Sequence, residues 1–166
     1  MKSKDRRTAR GFLAGAIGTL VLTGFEVLET GWLGGPSLYA AGSVARGLAT
    51  RFTKWKLAGR TQTVAGLALR WAYGPSLGAL YARVRPQLPL SVPAAAVCLA
   101  GGIFGFELLA MPALGATPPL RKWDRPQLAM LAAHTLAYGL GTSLAYDRLT
   151  RSSSREAATD PTVDDR

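Results

Sequence analysis

The sequence predicts an all-α integral membrane protein: a four-helix bundle with an interfacial amphipathic helix between the first two spans. Three observations point there. Four apolar stretches, near 11–29, 62–84, 93–113 and 127–149, each approach or exceed the roughly 20 residues that a helix needs to cross a bilayer. Two runs, 86–106 and 126–146, contain no Asp, Glu, Lys or Arg, whereas a helix of a soluble domain keeps a polar face. The basic residues gather in a head (1–10), a loop (46–60) and the ends of the apolar stretches, as the flanks of inserted helices do.

Taken in order, the first span begins after Arg10 and ends near Thr30 and Gly31. No small-x-small cleavage site follows it, because Glu26, Val27, Leu28 and Glu29 occupy that region, so it stays as a span and is not removed as a signal peptide. In 36–53, apolar residues recur at Leu38, Ala41, Val44, Ala45 and Leu48, the spacing of an amphipathic helix lying at the membrane surface. The second span ends at Arg83 and Arg85. The third starts by Pro93, a suitable first-turn proline, and stops before Thr117-Pro118-Pro119. The fourth follows Pro126 and ends at Asp147 and Arg148. A single membrane domain thus covers 1–149. The tail, 150–166, rich in Ser, Asp and Arg, reads as disordered.

The two halves resemble each other. Gly24-Phe25-Glu26-Val27-Leu28 of the first span recurs as Gly105-Phe106-Glu107-Leu108-Leu109 of the third, and Ala72-Tyr73-Gly74 of the second as Ala137-Tyr138-Gly139 of the fourth. Tyr81 and Arg83 match Tyr146 and Arg148 at the same offset. Two spans per unit make this a parallel repeat, its halves related by an axis along the membrane normal.

A net charge of +10 raises nucleic acid as a partner, but the basic residues flank apolar segments and form no stripe. The lipid bilayer is the expected partner, with an anionic surface facing Lys2, Lys4, Arg6, Arg7 and Arg10. With the N-terminus cytoplasmic, ten Lys and Arg residues flank the inner side and eight the outer, a small bias in that sense. A five-span alternative, with 32–52 crossing too, improves that balance but puts Arg46 and Pro36 in the bilayer. Cys98 stands alone, which excludes an intrachain disulfide and a multi-cysteine metal site, and reads as a helix-packing residue. No zinc-protease, P-loop or dinucleotide motif is present, so no metal or cofactor is expected.

The chemistry-bearing residues are those that interrupt the spans: Glu26, Arg70, Glu107 and His134. A charge at such depth costs a few kcal/mol, so each requires a partner or a role. At 1.5 Å per residue, Glu26 and Glu107 lie about 6 and 9 Å from the outer ends of their spans, and Arg70 and His134 about 12 and 10 Å in from the same side. The four therefore form one polar layer. In one reading it is structural glue, Glu26 or Glu107 pairing with Arg70 and His134 bonding a tyrosine or a carbonyl. In the other it is a titratable site. Glycines at Gly11, Gly15 and Gly18 share a face with Glu26. Gly74 and Gly78 in the second span, with the row Gly101-x-x-x-Gly105 in the third, are the other expected packing positions. Glu107 aligns instead with Ala96 and Ala100. The string Gly74-Pro75-Ser76-Leu77-Gly78 fits a serine-hydrolase elbow but lies inside a helical span, where Pro75 reads as a kink. No catalytic residue is expected.

The run Pro112-Ala113-Leu114-Gly115-Ala116-Thr117-Pro118-Pro119, followed by a helix with His134-Thr135-Leu136-Ala137-Tyr138, resembles the C-terminal half of the YagU-like family of small bacterial inner-membrane proteins. Arg70-Trp71-Ala72-Tyr73-Gly74 is similar to an H-W-x-Y-G stretch of related sequences, with Arg70 where histidine is expected. The resemblance implies a multi-span helical protein of a bacterial inner membrane, linked to acid resistance, without enzymatic activity or cofactor. His134 is the position that it carries over. The sequence thus leads to a non-enzymatic, proton-responsive membrane protein. The alternative is a small transporter or channel, which calls for a homo-oligomer because four spans enclose little room.

Overall fold

The computed structural model describes residues 3–33 and 41–159, which form five α-helices and no strand. The helices are α1 (Ser3–Leu33), α2 (Ala41–Thr53), α3 (Gly59–Val84), α4 (Val92–Ala113) and α5 (Arg125–Thr159), with single 3-10 turns at Arg85–Gln87 and Leu120–Lys122. The start of the expected surface helix, 36–40, lies outside the described residues; the rest is α2, which buries Val44 and Ala45 and exposes Arg46 and Arg51. Helix continues through 150–159, a stretch read from sequence as part of a disordered tail, because α5 runs on without a proline or glycine to stop it.

Three helices are long and apolar enough to cross a membrane: α1, α4 and α5. The expected second span is helical, but α3 is not among them. Arg60, Arg70 and Arg83, together with the Tyr, Ser, Pro and Gly of its middle, lower its hydropathy. Its length is ample: 26 residues extend about 39 Å at the usual helical rise.

Local signals set the helix ends. Asp124 and Gln127 form a reciprocal capping box at the start of α5: the Gln127 amide donates to the Asp124 carboxylate (2.9 Å) and the Asp124 amide to the Gln127 side chain (3.3 Å). The Pro112–Pro119 run closes α4 with a Schellman turn. The amides of Gly115 and Ala116 donate to the carbonyls of Pro112 (3.0 Å) and Met111 (2.9 Å), and Gly115 takes the left-handed φ of +70° that this turn requires. Ala116 is buried there against Gly47 of α2, where a Cβ would meet the Ala116 backbone. Across the α3–α4 turn, the Arg85 guanidinium donates to the carbonyls of Leu88 and Leu90, both at 2.9 Å.

Helix α1 lies between α3 and α5, and α5 between α1 and α4. The crossings rest on small residues. A Cβ on Gly15 would lie 2.7 Å from the Gly74 carbonyl and 2.9 Å from the Gly78 Cα. One on Gly11 or Gly78 would strike the backbone of the facing helix, and one on Gly18 would strike Thr142 of α5. Gly139 is seated in the same way against Ala96 and Ala100 of α4. Helix α3 stands farther from α4, and the stacked rings of Tyr73 and Phe106 (centroids 6.5 Å) bridge them.

Gly101 and Gly105, expected to pack, meet no neighbour. The face of α4 that carries Ala96, Ala100, Ile103 and Glu107 turns inward against α5, which sends the glycine row outward. Cys98 is likewise exposed, and not the packing residue suggested by its apolar surroundings.

Replacing Gly78 with leucine is expected to destabilise the protein by about 3 kcal/mol or to prevent folding, because backbone faces the added atoms. Gly105→Leu, whose side chain enters open space, should leave the melting temperature unchanged. Circular-dichroism melts of the two variants separate the positions.

Candidate functional site

The glycine contacts that hold α1 against α3 at Gly11 and Gly15 continue along an antiparallel seam to Thr19, whose side chain covers Gly74, and end at Glu26. Opposite Glu26 stands Arg70. The guanidinium grips the carboxylate in a bidentate pair, Nη2 donating to Oε1 at 2.5 Å and Nη1 to Oε2, while Nη1 also reaches the Thr23 hydroxyl at 3.4 Å. Both side chains are 15% exposed, so the pair is mostly desolvated. The fork-on-fork geometry returns the most electrostatic energy for that cost.

One helical turn beyond Glu26, Glu29 meets His134 of α5, with Nε2 2.8 Å from the carboxylate. This pair is deeper than the first, with side chains 3% and 4% exposed. The Phe25 ring packs edge-on against the imidazole, centroids 5.4 Å apart. His134 thus takes a carboxylate as partner, not the tyrosine or carbonyl that sequence suggested. Sequence reasoning used Glu29 only to reject a cleavage site. Its signal was available: Glu26 and Glu29 are three residues apart, and that spacing puts two side chains on one helix face.

Glu26, Arg70, Glu107 and His134 all line one cavity of about 110 Å3. It lies among all five helices, and Glu107, buried on α4, forms part of its wall. Leu22, Val44, Leu69, Ile103, Met111 and Leu131 make most of its surface. Tyr73 and Tyr138, the matched tyrosines of the two halves, also line it. Tyr138 donates to the Gly74 carbonyl at 2.5 Å, while the buried Tyr73 hydroxyl and His134 Nδ1 have no hydrogen-bond partner among the described residues. A second cavity of about 330 Å3, between α2 and α3, shares Glu26, Arg70 and Ala41 with the first, so the ion pair stands between the two spaces.

At the other end of the helices lies a hydrophobic cluster. Ala14, Tyr81, Ala82, Ala95, Ala145 and Tyr146 form one cluster, with Tyr81 and Tyr146 edge-to-face at 5.7 Å. Ser76, the serine of the elbow-like string, is exposed on helical backbone and donates to the Ala72 carbonyl at 2.7 Å. No group of three or more His, Cys, Asp or Glu residues suited to a metal ion occurs among the described residues.

Comparison with protein families, with curated proteins and with solved structures finds no match for this chain. The site must be judged by its own chemistry. It sets three carboxylates, Glu26, Glu29 and Glu107, against one permanent cation, Arg70, and one imidazole, His134. With every carboxylate ionised, the cluster is negative even when His134 is charged.

Arg70→Met is expected to cost about 3 kcal/mol by stranding the Glu26 carboxylate, and the double variant Arg70→Met, Glu26→Leu to recover most of that loss. Denaturant unfolding of the four proteins of this cycle gives the coupling directly. Losses in the two single variants that simply add up in the double variant would mean that the pair contributes nothing.

Proposed function

We propose that this chain is a non-enzymatic integral membrane protein of a bacterial inner membrane, proton-responsive through its buried polar layer, in keeping with an acid-stress or envelope role. Its bundle comprises four spans, α1, α3, α4 and α5, with α2 at the membrane surface. The distribution of residues supports the membrane part. Phe12, Leu20, Val27, Leu28, Leu67 and Leu109 are exposed, whereas ion pairs, threonines, glycines and alanines fill the interior. That is the reverse of a soluble domain, where so large an apolar surface would drive aggregation. Trp32, Trp55 and Trp123 gather at one end of the helices, where an aromatic belt would meet the lipid headgroups. Helix α3 follows α1 in contact from Ala82 to Arg70, so a membrane that surrounds α1 surrounds α3 as well. The bias of basic flanks favours a cytoplasmic N-terminus, and the motifs around Pro112–Pro119 and His134 support the YagU-like reading.

One observation carries the proton-responsive reading: Glu26, Arg70, Glu107 and His134 line one chamber, and a further carboxylate, Glu29, meets His134. In low dielectric a buried charge without a partner is expensive, so the charge states of groups this close depend on one another. An imidazole is the side chain whose charge ordinarily changes near neutrality, and here it is hydrogen-bonded to a carboxylate. Around the chamber His134 and Glu107 are joined by Glu26 of α1, Arg70 and Tyr73 of α3, and Tyr138 of α5, while Glu29 of α1 bonds His134. The second reading, a small oligomeric transporter, is favoured by the outer cavity that meets the chamber at Glu26–Arg70.

Infrared difference spectra of the protein in nanodiscs, taken between about pH 8 and about pH 5, should show a carboxyl band that weakens in Glu29→Gln or Glu107→Gln. Spectra identical in wild type and both variants would end the proton-responsive reading. In liposomes, proton flux after a pH jump that disappears in Glu26→Gln would favour transport. Absence of flux at every pH, with the carboxyl band present, would favour a sensor or scaffold.

A further inference from the structure

The end of the molecule that carries α2 differs in charge from the rest. Helices α1 and α4 finish there, and α3 and α5 begin there. Helix α2 closes it, with Gly42 resting on Gly66 of α3 and Gly47 on Ala116 of the turn after α4. Five Lys and Arg residues fall in 46–60 and three in 121–125, and all eight are exposed. The α2 cations reach the link between α4 and α5: the Arg51 side chain passes 3.9 Å from where a Cβ on Gly115 would stand. The only acid in 31–60 and 113–127 is Asp124, whose carboxylate accepts the Gln127 amide at 2.9 Å.

Among the described residues none of the eight cations stands in an ion pair. Like charges gathered without counter-charge repel one another, and an anionic partner relieves that cost. The opposite end is different. There Arg151 pairs with Asp147 at 2.9 Å, and Arg85 commits its guanidinium to the carbonyls of Leu88 and Leu90.

Apolar side chains stand among the cations of the α2 end. Trp32 is 88% exposed, Trp55 72% and Phe52 67%. Toward the middle of the helices the exposed residues become hydrocarbon, as at Val27, Leu28 and Leu109. A soluble acidic protein or a nucleic acid would satisfy the cations but would not give these rings a hydrocarbon boundary. A bilayer surface with anionic headgroups satisfies both, since tryptophan favours the headgroup level and Lys and Arg draw anionic lipid.

We propose that the α2 end is a docking surface for anionic lipid, its headgroup phosphates held by Arg46, Arg51, Arg121 and Lys122, with Trp32, Trp55 and Phe52 at the acyl boundary. Sequence reasoning gave that role to the N-terminal head; the missing counter-charges favour the opposite end. The inference rests on the membrane reading above and deepens it by naming the lipid class.

The test reads tryptophan quenching in vesicles by lipids brominated on their acyl chains, one with a phosphatidylglycerol and one with a phosphatidylcholine headgroup. Trp71→Phe leaves only Trp32, Trp55 and Trp123, all at this end, and the unaltered chain is measured beside it. Phosphatidylglycerol should associate about fivefold more strongly than phosphatidylcholine at low salt, and the preference should fade at about 1 M salt. The combined variant Arg46→Gln, Arg51→Gln, Arg121→Gln, Lys122→Gln should lose most of it. The same change at the opposite end, Arg6→Gln, Arg7→Gln, Arg83→Gln, Arg148→Gln, removes equal charge and should keep it. Equal association of both lipids, or a preference kept by the first variant, would overturn the inference and leave the membrane reading standing. A preference lost equally in both variants would reduce it to net charge and overturn it too. Quenching by neither lipid would remove the membrane reading as well. Tryptophan shielding by a short oligonucleotide, without lipid preference, would reassign the surface to nucleic acid. The comparison of the two lipids on the unaltered chain decides the matter even if a variant fails to fold.

Discussion

Close approach of α1 to its two neighbours governs this molecule. On the membrane reading proposed above, hydrocarbon gains little by leaving one apolar contact for another, so helices associate through packing and through polar groups. Gly11 and Gly15 bring the α1 backbone against Gly74 and Gly78 of α3, and Gly18 brings it against Thr142 of α5. On α1 the hydroxyls of Thr19 and Thr23 bond their own helix, at the Gly15 and Thr19 carbonyls, both at 2.8 Å, so these two pack without leaving a stranded donor. The same seam delivers Glu26 to Arg70 and Glu29 to His134. Were α1 held a side chain farther out, both ion pairs would open.

The ion pairs then determine what the interior contains. One end of the helices is closed by tyrosines and alanines; the other holds the charged chamber, capped by α2 and by the Schellman turn on which Gly47 rests. Buried charges add little net stability, since desolvation consumes most of their attraction. They do fix the register of α1 against α3 and α5, because any sliding would leave a charge without its partner.

Residues of the matched segments meet across the two halves. In both halves the phenylalanine of Gly-Phe-Glu packs on a ring from the other half, Phe25 on His134 and Phe106 on Tyr73. The matched tyrosines Tyr138 and Tyr146 reach the carbonyls of Gly74 and Ala82, again across the halves. Symmetry fails where α4 replaces α1. Helix α1 meets α5 through Gly18, whereas the glycines of α4 face outward, so α3 and α4 stand apart and the chamber has its space.

The sequence by itself determined the helices and the unusual residues within them. Apolar runs of fixed length, proline and glycine at the ends, and ionisable residues at matching depths are local properties, written residue by residue. It also put Glu107 on the Ala96 and Ala100 face, which is the face that turned inward. What only the tertiary structure decided was pairing and orientation. Depth along an axis does not say which of two carboxylates meets Arg70, nor that Glu29 is the one that meets His134. Nor does it reveal that Gly101 and Gly105 look away from the other helices, since a small-residue spacing is identical on an inward and an outward face. Those outcomes depend on the rotation of each helix about its own axis, which is set by the sum of contacts with its neighbours and by no single segment.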